Sequence, residues 1–162
     1  MTAGRTGTVV IGLGNPYRRD DGVGAAVATA LDDLAMPNVV VTTGISDPLG
    51  LVDAWSGAAL AIVIDAAAAT PSEPGRVRRC TLGDLQAGRD GLSSHHVDVG
   101  LAHELAQALG RAPGELVVLA IEVADMGHGV GLSPHVARAV PEAIHLAVEE
   151  IGTEINRDGA GF

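Results

Sequence analysis

Hydrophobic residues fall along this chain in two alternating patterns. The first is a set of short, nearly unbroken apolar runs: Thr8-Val9-Val10-Ile11, Asn38-Val39-Val40-Val41-Thr42-Thr43, Leu60-Ala61-Ile62-Val63-Ile64-Asp65 and Leu116-Val117-Val118-Leu119-Ala120-Ile121-Glu122. Runs this short and this rich in branched residues predict strands, with the continuous run at residues 60–65 expected as a central strand buried on both faces. The second pattern has helical spacing. Val23, Val27, Ala30, Leu31 and Leu34 form one stripe, and a short helix is predicted from Asp47-Pro48 through Leu51 and Trp55, with Pro48 suited to a first turn. Asp98 to Leu109 can form a third helix. A long closing helix follows Ser133-Pro134, with Val136, Val140, Ile144, Val148 and Ile151 on one face. Arg76-Val77-Arg78-Arg79-Cys80-Thr81-Leu82 alternates and carries charge, which suits a sheet edge. Residues 70–75 read as a loop, and residues 1–7 and 157–162 as disordered ends.

The order is strand-helix-strand-helix-strand, then an edge strand, a helix, a strand and a helix. It predicts a single α/β domain over residues 1–162. The expected architecture has three layers: a doubly wound, mostly parallel five-stranded sheet with an antiparallel edge strand, and helices on both faces. Strand two is expected beside strand one, and strand three on its other side. The chain then reverses its winding between strands one and three, and ligands of open α/β sheets bind in that crevice. Asp20 and Asp21 follow strand one, and Asp65 closes strand three. Carboxylates from distant segments are thus expected to meet.

Composition narrows the class. The chain has 162 residues and 47% hydrophobic content, enough for one substantial core. Ten basic against twenty acidic residues give a net charge of −10. That argues against nucleic acid as a partner, because phosphate contacts need Lys and Arg. The one cysteine, Cys80, allows no intrachain disulfide. No apolar run approaches a membrane span, and no signal-peptide core precedes the first strand, so a cytoplasmic location with no membrane contact is expected.

The loop after strand one, Gly12-Leu13-Gly14-Asn15-Pro16-Tyr17-Arg18-Arg19-Asp20-Asp21-Gly22-Val23-Gly24, is the main candidate for chemistry. It is not a dinucleotide fingerprint, because the third glycine of G-x-G-x-x-G would fall on Tyr17 and no acidic ribose ligand follows at the required distance. No P-loop occurs. Either acid can cap the following helix, but two in a row, fenced by glycines, invite a chemical reading. Asp65 ends the most hydrophobic strand. Ser93-Ser94-His95-His96 opens the third helix from a polar loop. Two carboxylates and one imidazole with open positions suit a first-row divalent ion such as nickel or zinc. The other histidines carry less. His103-Glu104 lacks the second His of H-E-x-x-H and is expected on an exposed helical face. His128 lies in a Gly-rich loop, and His135 and His145 belong to the last helix. Glu122 ends a buried strand near the same crevice but has no distinctive context.

These residues resemble a known family. Gly12-Leu13-Gly14-Asn15-Pro16 followed by Asp20-Asp21-Gly22-Val23-Gly24 is similar to the opening motif of the hydrogenase maturation endopeptidases. The strand ending in Asp65, the loop Ser93-Ser94-His95, and then Ile121-Glu122 and Gly131-Leu132-Ser133 resemble that family's later signatures. The likeness runs from about Val9 to Val148. It implies Asp21, Asp65 and His95 as metal ligands, with His95 preferred to His96 because it directly follows the two serines. It also implies catalytic work by Asp21 or Asp65, as general base or beside a polarising metal. The middle region departs from the family: Gly44-Ile45-Ser46-Asp47 replaces the usual Asp-Gly-Gly-Thr type of loop, at a point that can set substrate choice.

The implied activity is removal of a C-terminal extension from the large-subunit precursor of a nickel–iron hydrogenase, after nickel insertion. The nickel would come with the substrate, and another divalent metal such as zinc would be the alternative in the free enzyme. Two rivals stand beside this reading. Peptidyl-tRNA hydrolase shares a Gly-Leu-Gly-Asn-Pro opening, but its Thr-Arg-His-Asn type of sequence is missing and the acidic charge is wrong for tRNA. A non-catalytic nickel-binding accessory protein of hydrogenase assembly would use the same three ligands.

Overall fold

The computed structural model describes residues 7–68, 71, 73–86 and 98–159. The strands are β1 (Thr8–Gly12), β2 (Val39–Thr43), β3 (Leu60–Ala67), β4 (Val77–Thr81) and β5 (Glu115–Glu122). They form one sheet in the order β2-β1-β3-β5-β4. All pairings are parallel except β4 with β5, which is antiparallel. The helices are α1 (Val23–Asp33), α2 (Pro48–Trp55), α3 (Leu82–Gln86), α4 (Val99–Ala108) and α5 (Pro134–Gly159). The predicted fold class and strand order are borne out.

The core divides by face. Val10, Ile62, Ile64, Leu119 and Ile121 pack with Val27 and Leu31 of α1 and with Val136, Ala143 and Ala147 of α5. The alternate residues Val9, Ile11, Ala61, Val63 and Val118 pack with Leu51 and Trp55 of α2 and with Ala102 and Ala106 of α4. Each central strand therefore buries both faces, which is why the runs show no polar alternation. Local chemistry fixes the helix starts. The Asp47 carboxylate accepts the Gly50 N–H at 2.9 Å with Pro48 following, and Asp98 accepts the Leu101 N–H at 3.0 Å.

Two departures from expectation have local causes. The edge strand ends at Thr81, one residue early, because Thr81-Leu82-Gly83-Asp84 closes a capping box. Asp84 accepts the Thr81 N–H at 2.9 Å and turns the chain into α3. Strand β3 runs two residues past Asp65, since Ala66 and Ala67 still pair with Ile121 and Glu122 of β5. On its other side β3 loses β1 after Ile64, whose carbonyl takes the Leu13 N–H at 2.9 Å. Asp65 is thus the first residue beyond the fork where β1 leaves the sheet. That fork is the switch point, because α1 covers one face and α2 the other.

Candidate active site

Residues 13–18 leave β1, pass through a 3-10 turn at Arg19–Gly22 and enter α1. Backbone meets backbone here. A Cβ on Gly24 would strike the carbonyl oxygens of Leu13 and Ile64, so only glycine lets the helix start this close to the strand ends.

The two neighbouring acids have different tasks. Asp20 is fully buried. Its Oδ2 accepts the N–H groups of Ala124 at 3.0 Å and Asp125 at 2.9 Å and the Ser133 hydroxyl at 2.6 Å, while Oδ1 accepts the Ser133 N–H at 2.6 Å. Its own N–H donates to the Asp125 carbonyl. Burial alone would raise this carboxyl. The Ser133 hydroxyl, then the N–H groups of Ser133, Asp125 and Ala124, outweigh it and hold the pKa below the ordinary value. Further bonds lace the same two loops: Arg19 N–H to the Gly129 carbonyl, Gly129 N–H to the Tyr17 carbonyl, and Arg18 Nε to the Met126 carbonyl. Asp20 is the structural pin of the site. Sequence reasoning offered it a helix cap or a share in the site's chemistry and missed this pinning role, because its partners lie more than a hundred positions away.

Asp21 is 2% exposed, and its Oδ2 accepts the Asn15 N–H at 2.8 Å. Gly14, at φ +105°, presses against it, so that a Cβ there would collide with the Asp21 backbone oxygen and crowd its carboxylate. Asp65 stands at the fork, half-buried, on the α2 and α4 face by alternation with Val63. Burial is the main cause that pushes its pKa up to about 7. A backbone hydrogen bond from Ala66 opposes the rise, and the charge of Asp21 adds to it. The two acids, 44 positions apart in sequence, therefore feel each other's charge. Among the described residues no three metal-binding side chains form a metal cluster. His95 and His96 lie outside the described residues.

The remaining candidates resolve differently. His103 is not on an exposed face, as expected from sequence, but 5% exposed, with its ring 6.3 Å from Trp55 in an edge-on contact. Burial pulls its pKa down. The α4 stripe continues through it, and it lines a cavity of about 490 Å³ with Leu82, Gln107 and Pro113. That cavity lies where β5 begins, at the opposite end of the strands from Asp65. His128 and His135 are exposed, and His145 pairs with Glu149 at 2.8 Å. Glu122 has a context that sequence reasoning missed. It is buried, its Oε1 accepts the Glu73 N–H at 3.2 Å, and its Oε2 faces Arg76 Nε at 3.7 Å and Arg78 Nε at 4.0 Å. The arginines of the charged edge strand were the available signal.

Two carboxylates at a fork, one of them with its proton held to about pH 7, suit cation binding, because a cation relieves both the burial cost and the mutual repulsion. The same pair suits proton transfer near neutrality.

Comparison with known proteins carries the identification further. Solved structures with the same fold include the hydrogenase maturating endopeptidase HybD from E. coli, with a TM-score of 0.80, 18% identity, and 91% of this chain and 93% of that one covered. The hydrogenase maturation protease HybD from Thermococcus kodakarensis has a TM-score of 0.74 at 23% identity, covering 90% and 99%. A hydrogenase 2 maturation peptidase from Thaumarchaeota archaeon SCGC_AB-539-E09 has a TM-score of 0.64 at 25% identity, covering 90% and 98%. No curated protein sequence matches the chain. The sequence profile of the HycI family, hydrogenase maturation protease, matches residues 26–150, a span that takes in Asp65 and His95 and begins just after Asp21. With most of its length matched and the same fold around its paired acids, this chain belongs to the hydrogenase maturation proteases, a family of peptidases.

Proposed function

We propose that this protein is the endopeptidase that removes the C-terminal extension of a nickel–iron hydrogenase large-subunit precursor after nickel insertion, with the nickel in the substrate as its recognition element. The observation that carries this reading is the meeting of Asp21 and Asp65 at the fork, with the Asp65 carboxyl raised to about 7 by burial and by its neighbour's charge. Such a pair attracts a cation far more than it attracts a bare peptide. The family assignment supports the peptidase chemistry and a hydrogenase precursor as partner.

Two acts are open to the pair. Asp21, held by the Asn15 N–H, and Asp65 offer oxygen ligands to the substrate's nickel, with His95 as the third. Zinc in the free enzyme would take the same donors. For cleavage, Asp65 accepts a proton from water as the water oxygen attacks the scissile carbonyl. It then returns that proton to the departing amine nitrogen, and a pKa near 7 serves both directions. No helix among the described residues is long and apolar enough to cross a membrane. We place the protein in the cytoplasm with its precursor.

The test is a cleavage assay on one precursor prepared with nickel and with nickel withheld, read by intact mass. Loss of the extension from the nickel-loaded form alone supports the proposal. Equal cleavage of both forms, under chelation, overturns the nickel gate. Binding of the loaded precursor without cleavage favours the accessory-protein reading.

A further inference from the structure

Register places a third charged side chain beside the acids. Asp65 of β3 pairs with Ala120 of β5, and Ala120 pairs with Arg78 of β4. Partners across a ladder project from the same face. Asp65, Ala120 and Arg78 therefore form one rank, with Ala120 between the acid and the arginine in the ladder. Two strand spacings separate their backbones, roughly 10 Å.

Arg78 has hydrogen bonds left to make. Its Nε and Nη2 are buried, and neither has a hydrogen-bond partner among the described residues. The facing Glu122 Oε2, at 4.0 Å from Arg78 Nε, is too far for a bond and accepts none among the described residues. Arg76 Nε stands nearer the same oxygen, at 3.7 Å, so Glu122 has a counter-ion without Arg78. Unmet buried donors on a charged group are costly, and an acceptor that reaches them gains more than one in water. The side chain as a whole is 25% exposed, so a turn of its outer bonds brings these buried nitrogens to a ligand arriving from solvent.

We infer that Arg78 is a substrate-binding residue of this site, donating from Nε and Nη2 to a backbone carbonyl oxygen of the C-terminal extension. A neutral acceptor fits best, because a second carboxylate would stand beside the buried Glu122 carboxylate and be repelled by it. An extended peptide advances about 3.5 Å per residue, so the carbonyl lies about three residues from the bond held over Asp65. This inference rests on the peptidase reading above.

The experiment compares wild type, Arg78→Gln and Arg78→Lys on the nickel-loaded precursor, with kcat/KM taken per mole of folded protein and melting temperatures measured alongside. Arg78→Gln is expected to lose at least about tenfold in kcat/KM, the scale of one charge-assisted hydrogen bond. Arg78→Lys keeps the positive charge beside Glu122, so it folds as wild type, but it lacks the two-donor edge and is expected to lose more than about threefold. If Arg78→Gln fails to fold, the lysine variant decides. A smaller loss in Arg78→Lys, with wild type active, overturns the inference alone. A wild-type protein that leaves the precursor uncut overturns the peptidase reading, and this one with it.

Discussion

Ser133 donates to both carboxylate oxygens of Asp20, its N–H to Oδ1 and its hydroxyl to Oδ2, each at 2.6 Å. The bond pair joins the loop after β1 to the loop after β5, and with the Ala124 and Asp125 N–H groups it leaves the buried carboxylate fully engaged. Asp20→Asn puts an amide N–H₂ where a donor already points. It is expected to destabilise by about 2–4 kcal/mol, against about 1–2 for Ser133→Ala, in urea unfolding. Because the folded Asp20 pKa lies below the ordinary 3.8, its contribution is present above that pH and is lost as pH falls below it. A mutant unfolding curve equal to wild type would show that water replaces the pin at no cost.

Asp65 has the opposite sign. Its folded pKa, about 7 against an ordinary 3.8, means that the folded state holds a proton that the unfolded state has released. Its contribution is fully present below pH 3.8 and declines as pH rises to about 7. Asp65→Asn in metal-free protein should therefore flatten the fall in stability across that window. Its melting temperature should exceed wild type at pH 8, by on the order of a few kcal/mol in unfolding free energy at most. Parallel melting profiles for the two proteins between pH 4 and 8 would contradict this.

Processing should separate the acids from the pin. Asp21→Asn and Asp65→Asn are expected to abolish precursor cleavage while circular dichroism stays that of the folded protein, with the melting temperature of Asp65→Asn moving only with pH, as the raised pKa of Asp65 requires. His95→Ala is expected to be more damaging than His96→Ala. The reverse order would assign the third ligand to His96.

Glycine at position 14 is required for two separate reasons. Its φ of +105° disfavours any side chain, and a Cβ would collide with the Asp21 backbone oxygen. Gly44, at φ +81°, has open space where a Cβ would stand. Gly44→Ala should cost only about 1 kcal/mol, whereas Gly14→Ala should cost several times more and reduce cleavage by displacing Asp21. Equal melting temperatures for the two variants would remove Gly14 as a support of the acid.

Most of the fold was legible because the central strands are apolar on both faces and the α5 stripe repeats without interruption. Strand order followed from the crossovers, and the fork followed from strand order. Asp20, Asp21 and Asp65 could be brought to one crevice for that reason, and only the family resemblance preferred Asp21. Asp20 could not be separated from Asp21, since both are acids before a helix and only bonds to Ala124, Asp125 and Ser133 distinguish them. His103 was misread because a polar residue on an amphipathic helix reads as solvent-facing, whereas here it completes the packing against Trp55. Arg78 looked like an ordinary edge charge until the register set it beside Ala120.

The Asp20 pin spans 104 to 113 positions of chain. Contacts of such separation carry a large loop-closure cost until the intervening strands have docked, so this one is expected late in folding. During synthesis the first loop leaves the ribosome long before Ser133 exists to hold it. Until then Asp20 is an acid without its partners, and the neighbouring Asp21 has no fixed position from which to act. A nascent or truncated chain ending before residue 133 should therefore have the sheet's first strands and no working protease, and competence would arrive with the final helix.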